Sequence, residues 1–164
     1  VFDLGADAQY AADRAPGQDL FAPGAPITAT ATGGTGVDAF ELSVAAPADL
    51  QIQAPAGLGA SADRDEDYEV RWAAGDADQV LVTIFPTAPF SVDPVAGNWI
   101  FCASDDTGTV TVPAAALSQL PSGPLGQSTL VVLTRFVVAE AAIGPDSAVL
   151  TVTTTAGAPL TVQN

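Results

Sequence analysis

The sequence predicts an all-β protein, an antiparallel β-sandwich with one short helix near residues 113–120. Three observations lead to this prediction. Apolar and polar residues alternate with a period of two over about ten short segments, as they do in strands that bury one face. Gly, Pro and Asp residues that favour turns separate these segments every ~8–12 residues. Val, Ile and Thr, which favour extended backbone, dominate the segments.

The first 26 residues differ from the rest and form a predicted irregular N-terminal arm. Pro and Gly interrupt it at 15–17 and 22–24, a density that no helix tolerates. Apolar side chains such as Phe2 are nonetheless scattered through the arm, and a solvated tail would not need them. We therefore expect the arm to cover a sheet edge of its own domain or, alternatively, of a second copy. Residues 27–164 are then a single β-sandwich domain.

The first half of this domain contains five strand-like segments. They are 27–32, 39–44, 50–53, 68–72 and 80–85. In the fourth segment, Tyr68, Val70 and Trp72 alternate with two charged residues. We expect the apolar side chains to point inward and the charges outward, as in half-buried antiparallel hairpins.

The second half continues the pattern and adds the helix. Its strand-like segments are 98–103, 109–112, 129–139, 148–155 and 160–162. Pro113 ends a strand and occupies the first turn of the helix-like segment 113–120. Segment 129–139 is nearly all apolar, which predicts a central strand covered on both faces. The acidic segments 75–78 and 105–108 are interpreted as turns, because Asp and Gly supply the backbone geometry of turns.

Trp72 and the segment that follows it resemble part of a known fold. After Trp72, the residues Val80, Val82 and Ile84 occupy alternate positions. This arrangement is similar to the inward Trp strand and its partner strand in immunoglobulin-like and fibronectin III domains. The resemblance implies a sandwich of that type.

A longer series of motifs spreads over residues 36–162. It consists of Ala39-Phe40, Ala46-Pro47, the segment 65–72, Ile100-Phe101-Cys102 and the segment 106–117. In this order the motifs resemble an uncharacterised domain of myxobacterial secreted proteins and lipoproteins. The resemblance implies an extracellular or cell-envelope location and brings no catalytic residues with it. The acidic residues just before Trp72 depart from the more neutral pattern of that domain.

The composition excludes several classes of function. The 164 residues include 19 Asp and Glu against 4 Lys and Arg, which gives a net charge of -15. Nucleic acid and anionic lipid need a basic surface, so neither is an expected partner. The chain has no His, which excludes His-based catalysis and His-ligated metals. The longest apolar stretch, 130–143, is interrupted by Arg135 and Glu140 and is shorter than the ~18 residues of a membrane span.

Composition and chain start predict a secreted or cell-envelope protein of a bacterium. The chain lacks Lys, is rich in Thr, Val, Ala and Gly, and starts at Val1, from which we expect a processed N-terminus. Its one cysteine, Cys102, excludes an intrachain disulfide. A buried, unreactive thiol is the favoured interpretation of Cys102, with an intermolecular disulfide as the alternative.

Asp63, Asp65 and Asp67 are the candidate metal ligands. Carboxylates at alternate positions resemble the start of a calcium-binding loop, which gathers oxygen ligands in this way. An EF-hand is excluded, because Tyr68 stands where Gly is needed and Ala74 where the bidentate Glu is needed. Two interpretations stay open: the solvent face of a strand that enters Trp72, which is favoured, and a calcium site with ligands from several loops.

Catalysis is not expected from this set of residues. An enzyme of this composition would depend on carboxylates, as glycosidases do, in a cleft lined by aromatic side chains. Most aromatic residues here occupy predicted inward positions. Trp99 is the only plausible platform for a sugar ring, and a core position at the start of a strand is the favoured alternative for it.

The sequence therefore predicts a non-catalytic structural or interaction module of the bacterial cell surface or secreted fraction. Binding of a protein partner, or self-assembly, would use edge strands or the N-terminal arm. The alternative is a small-ligand or carbohydrate-binding module with a structural calcium ion. No other cofactor is expected.

Overall fold

Strands make up more than half of the residues that this computed structural model describes, which are 3–4, 10–11, 21–35, 38–121 and 127–163. In chain order the strands are β1 (Asp3–Leu4), β2 (Tyr10–Ala11), β3 (Pro26–Ala31), β4 (Phe40–Ala45), β5 (Ile52–Ala54), β6 (Ser61–Asp63), β7 (Tyr68–Trp72), β8 (Gln79–Pro86), β9 (Ile100–Ser104), β10 (Thr109–Val112), β11 (Gln127–Ile143) and β12 (Asp146–Gln163). One short helix, α1 (Ala114–Leu117), precedes β11. The all-β fold class is thus confirmed.

Five strands form the largest sheet, the main sheet, in the order β6-β12-β11-β8-β9. A second sheet has the order β10-β7-β5, β3 pairs with β4, and β1 pairs with β2. Within the described ranges all pairings are antiparallel except that of β6 with β12, which is parallel. The prediction of a purely antiparallel sandwich is therefore corrected to antiparallel and mixed sheets that include a curled half-barrel. β6 has only three residues, too few for an alternation that the sequence could reveal.

The N-terminal arm, residues 1–26, is described only in part. β1 and β2 lie in it and pair with each other, and β3 begins at its last residue, Pro26. The rest of the arm up to residue 20 lies outside the described residues. Its predicted docking on a sheet edge therefore stays a prediction.

β11 and β12 form one long hairpin of 17 and 18 residues. It turns at Gly144, whose φ of 60° suits glycine, and at Pro145. The predicted segments 148–155 and 160–162 belong to one strand, because the Ala and Gly residues between them stay paired with β11. Sequence alternation alone could not show this continuity, since small residues there mimic a turn.

The core lies between the main sheet and the second sheet. The face of the main sheet that points into it is called the inner face. The fully buried side chains of this core are Val70, Trp72, Val80, Val82, Ile84, Val112, Leu117, Val131, Leu133 and Leu160. β4 lies against β11 and β12, and its Leu42 and Val44 are buried. Burial of each such side chain contributes ~1.5–3 kcal/mol, so this layer dominates stability.

Helix α1 lies at the edge of this core. Asp67 Oδ1 accepts a hydrogen bond from Ala114 N at 2.8 Å, which satisfies one free amide at the start of the helix. Leu117 and Leu120 are buried. The predicted helix near 113–120 is thus confirmed in a shorter form, continued by turns. In the described part of the chain, no helix has the length and hydropathy to cross a membrane.

Candidate functional site

The face of the main sheet opposite the core, called the outer face, is the candidate site. Strand register places the following side chains on it: Phe101 and Ala103 of β9; Leu81, Thr83 and Phe85 of β8; Leu130, Val132, Thr134, Phe136 and Val138 of β11; Thr151, Thr153 and Thr155 of β12. None of them is charged, although the chain carries 19 acidic and 4 basic residues. The next outer-face position of β11, Glu140, is acidic and bounds the uncharged area. Apart from Phe85, they are half-buried or exposed.

This uncharged face corrects the prediction for segment 129–139. Alternate residues of β11, such as Val131 and Leu133, are fully buried on the inner face. Their neighbours Val132 and Phe136 are only half-buried, and Val138 is 46% exposed. The expected cover on both faces is therefore wrong for the described part of the chain. A continuous apolar run predicts burial, but it does not identify what covers each face.

Three aromatic rings cluster at the β9 side of the outer face. Trp99 stacks on Phe85 with ring centroids 4.7 Å apart and an interplanar angle of 21°. Phe101 lies 6.1 Å from Trp99 in a tilted arrangement. Trp99 is 46% and Phe101 60% exposed. The favoured core position of Trp99 is therefore wrong, because it covers Phe85 from the solvent side.

A groove lies on the same face, near the first residues of β8. It has a volume of about 530 Å³ and is lined by Leu81, Phe136 and Val138 together with polar neighbours. Asp78 stands at its rim, where its Oδ2 accepts a hydrogen bond from Val138 N at 2.7 Å. Asp78 N also donates to Phe136 O at 3.0 Å, next to the last paired position of β8 with β11. The groove is thus apolar at its base and has one carboxylate at its edge.

A buried ion pair crosses the inner side of the fold. Arg135 Nε lies 2.8 Å from Asp106 Oδ2, and Arg135 Nη2 donates to Asp106 Oδ1 at 3.0 Å. Arg135 also donates to the carbonyl oxygens of Ala48 and Ala73, at 2.8 and 2.7 Å. The Trp72 indole donates to Asp106 Oδ1 at 2.8 Å. The two charged side chains are 1% and 2% exposed.

This ion pair holds several segments of the core together. Both side chains are buried and already paired, so little room is left for a ligand. The pair joins β11 to the segments that follow β4, β7 and β9. A Cβ at Gly75 would lie 2.5 Å from Asp106 Oδ2, so the backbone packs closely over the pair. The interpretation of 105–108 as a turn alone missed the buried role of Asp106. The available signal was the position of Arg135, which follows Leu133 on the inner face of an apolar strand.

Two of the three candidate metal ligands, Asp63 and Asp67, accept hydrogen bonds from different backbone amides. Asp63 Oδ1 accepts a hydrogen bond from Asp65 N at 2.9 Å, a local turn contact. Asp67 is engaged by helix α1, as described above. Over the described ranges, no three His, Cys, Asp or Glu side chains converge in a group that could hold a metal ion. The calcium site at Asp63, Asp65 and Asp67 stays a prediction.

Cys102 lies on the inner face of β9 and is half-buried. Desolvation by burial raises the pKa of its thiol above the ordinary value of 9.0. Less thiolate then forms at neutral pH, which lowers its reactivity. The expected full burial of Cys102 is therefore wrong, since the side chain is only half-buried. Its low reactivity stays a prediction, as does the alternative of an intermolecular disulfide.

Comparison with protein-family models, with curated proteins and with solved structures found no match to this chain. The resemblance to a myxobacterial domain stays an expectation. The function is therefore argued from the two faces of the main sheet.

Proposed function

We propose that the protein is a non-catalytic interaction module of the bacterial cell surface or secreted fraction, which self-associates through the outer face of its main sheet. The observation that carries this proposal is the uncharged surface that four neighbouring strands build there. Protein interfaces are depleted of charge at their centres, because burial of an unpaired charge is costly. The net charge of -15 repels a second copy elsewhere, so close approach costs least at the outer face.

The immunoglobulin- or fibronectin-like type of sandwich belongs to the same proposal. It is supported by Trp72, which is buried in β7 and packs in one cluster with Val80 and Val82 of β8. The extracellular or envelope location is supported by the composition and by the motifs in residues 36–162. Both suit a module whose function is contact with other proteins.

The absence of catalysis is also part of the proposal. The chain has no His, and the buried carboxylate of Asp106 is neutralised by Arg135. The half-buried thiol of Cys102 has a raised pKa, which disfavours the nucleophilic thiolate. These features support a binding role for the protein.

Sedimentation velocity over a hundredfold range of protein concentration tests the proposal. We expect the mass of the wild type to rise with concentration, and Val138→Lys to remain monomeric because it places a charge in the interface. Leu58→Lys is the matched control, since Leu58 is exposed in a loop between β5 and β6. A wild type that is monomeric throughout, or equal effects of the two variants, would contradict the proposal.

A second candidate function, carbohydrate binding, is favoured by the exposed rings of Trp99 and Phe101. A sugar ring stacks on an aromatic face, and these two rings face solvent beside each other. Affinity electrophoresis in gels that contain soluble polysaccharides tests this function. Retardation of the wild type that is lost in Trp99→Ala and kept in Leu58→Ala would support it. Equal mobility in every gel would remove it.

The structural calcium ion that would accompany carbohydrate binding is tested separately. Thermal unfolding is measured in EDTA and in millimolar calcium. A bound ion raises the midpoint, since it binds only the folded chain. The rise should be smaller in Asp65→Asn, and an unchanged wild-type midpoint would exclude the ion.

A further inference from the structure

The loop between β8 and β9 covers residues 87–99, and its first part, 87–95, is held together by its own hydrogen bonds. An antiparallel bridge between Thr87 and Pro94 holds the two ends of this part together. Inside it, Ser91 Oγ donates to Asp93 Oδ2 at 2.9 Å and accepts from Asp93 N at 3.0 Å. The tip of the β8–β9 loop is thus positioned by its own hydrogen bonds.

The tip is a turn with an unusual residue in it. Ser91 N donates to Ala88 O at 3.1 Å, and Phe90 has a φ of 61°. Pro89 fixes its own φ near -65°, so the turn is of type II with Phe90 in its third position. That position is normally filled by Gly, which has no Cβ, or by Asn, which tolerates a positive φ better than most residues.

Phe90 is unfavourable at this position in two ways. Its backbone is strained, and its ring is fully exposed to water. Val92, two residues further on, is exposed as well. Gly at position 90 would relieve both costs, so stability of the folded monomer does not account for Phe90. Strain of this kind concentrates where a side chain is presented for binding.

The groove on the outer face has the complementary chemistry. Leu81, Phe136 and Val138 line this open depression, whose volume is about 530 Å³. The acid at its rim, Asp78, is held by the backbone amide of Val138. The groove therefore offers an apolar ring an apolar surface beside a carboxylate that keeps its charge.

The β8–β9 loop does not fill the groove of its own chain, because Phe90 is fully exposed. Gln79 at the groove and Pro86 at the base of the loop stand at opposite ends of β8, about 23 Å apart at ~3.3 Å per residue. The bridge between Thr87 and Pro94 holds the base of the loop at the Pro86 end. Phe90 is therefore free to enter the groove of another molecule.

We propose that Phe90 of one copy inserts into the Leu81, Phe136 and Val138 groove of the next copy. This inference rests on the proposed self-association and names its contact. The loop and the groove are different surfaces, so the contact is heterologous and each copy retains one free loop and one free groove. Successive copies then form head-to-tail chains. Asp93 and Asp78 add like charges near the contact, so salt favours assembly.

Phe90→Gly is the central variant of the test. It removes the ring and the backbone strain together, so we expect a higher thermal midpoint and loss of assembly in sedimentation velocity at 0.5 M salt. A purely structural Phe would instead give a lower midpoint. Leu58→Gly is the matched control, because it removes an exposed apolar side chain from another loop. It should assemble like the wild type.

A mixing experiment tests the direction of the contact. Phe90→Gly retains its groove, and Val138→Lys retains its loop. Each variant alone should be monomeric, whereas an equimolar mixture should form dimers that do not grow, since only one productive contact is available. Sedimentation velocity of the mixture distinguishes these species by mass.

The outcomes separate this inference from the proposed function. If Phe90→Gly assembles like the wild type while Val138→Lys is monomeric, the outer face associates but Phe90 is not its ligand, and the inference is overturned. The same holds if only deletion of residues 1–20 abolishes assembly, which identifies the N-terminal arm as the occupant. A mixture that stays monomeric also overturns it. A monomeric wild type overturns both proposals.

Discussion

The two faces of the main sheet are formed by the same strands but differ in how deeply their side chains are buried and in the charges they carry. On the inner face of β11, Leu133 and Arg135 are both fully buried. On its outer face, Val132 and Phe136 remain half-buried, and neither forms a charged pair like that of Arg135 with Asp106. Apolar composition alone therefore does not identify the core of this protein. The core is identified by the second layer that packs on it, and Arg135, whose charge is buried there, is paired with Asp106 and donates to backbone carbonyl oxygens.

Removal of Arg135 should have the largest effect on this difference. Arg135→Ala leaves the Asp106 carboxylate buried without its partner, which typically costs ~3–5 kcal/mol of unfolding free energy. Urea denaturation measures the loss. Arg71→Ala is the control, because the ion pair of Arg71 with Glu69 is more than half exposed and should contribute no more than ~1 kcal/mol. Equal losses in the two variants would show that burial does not separate the two ion pairs.

Neighbouring positions on β11 give a second comparison of the faces. Leu133→Ala creates a cavity in the core and should cost ~2–5 kcal/mol. Val132→Ala removes a half-buried side chain from the outer face and should cost less than ~1.5 kcal/mol in the monomer. Both are measured by denaturation at a concentration where the wild type is monomeric. A larger effect at Val132 would mean that an undescribed part of the chain covers the outer face.

The smallest expected effect is a difference in alkylation rate between Cys102 on the inner face and a cysteine introduced on the outer face. Alkylation of Cys102 should be slower, and its pH midpoint higher, than alkylation of a cysteine placed by Ala103→Cys in a Cys102→Ser background. The raised pKa also affects stability. Its contribution is complete below the unfolded pKa near 9 and is lost as pH rises through the folded pKa. Cys102→Ser should lack this decline, and identical pH profiles of stability would contradict the assignment.

Local patterns predicted the strands well where one face met the core. The predicted segments 68–72, 80–85 and 109–112 match β7, β8 and β10 closely. The first and last alternate between apolar and polar residues, and 80–85 is a short apolar run rich in β-branched residues. Prediction failed where the outcome depended on distant parts of the chain. The parallel pairing of β6 and the joining of two segments into β12 are examples.

The candidate site was harder to predict than the fold. Trp99 reads as a core residue from its sequence context, and its exposure follows from the place of β9 at the edge of the main sheet. The strain at Phe90 is a property of a turn that holds Phe in place of Gly. Pro89 before it was the one local signal of that turn.

The acceptors of Arg135 also have a consequence for the order of folding. Arg135 reaches carbonyl and carboxylate oxygens that are 29, 62 and 87 residues away along the chain. Such contacts form only after long loops have closed, and closure is the slow part of folding in proteins rich in distant contacts. The ion pair therefore belongs to the late steps, after the hairpin of β11 and β12 has formed. Its loss should chiefly speed unfolding and leave the refolding rate nearly unchanged.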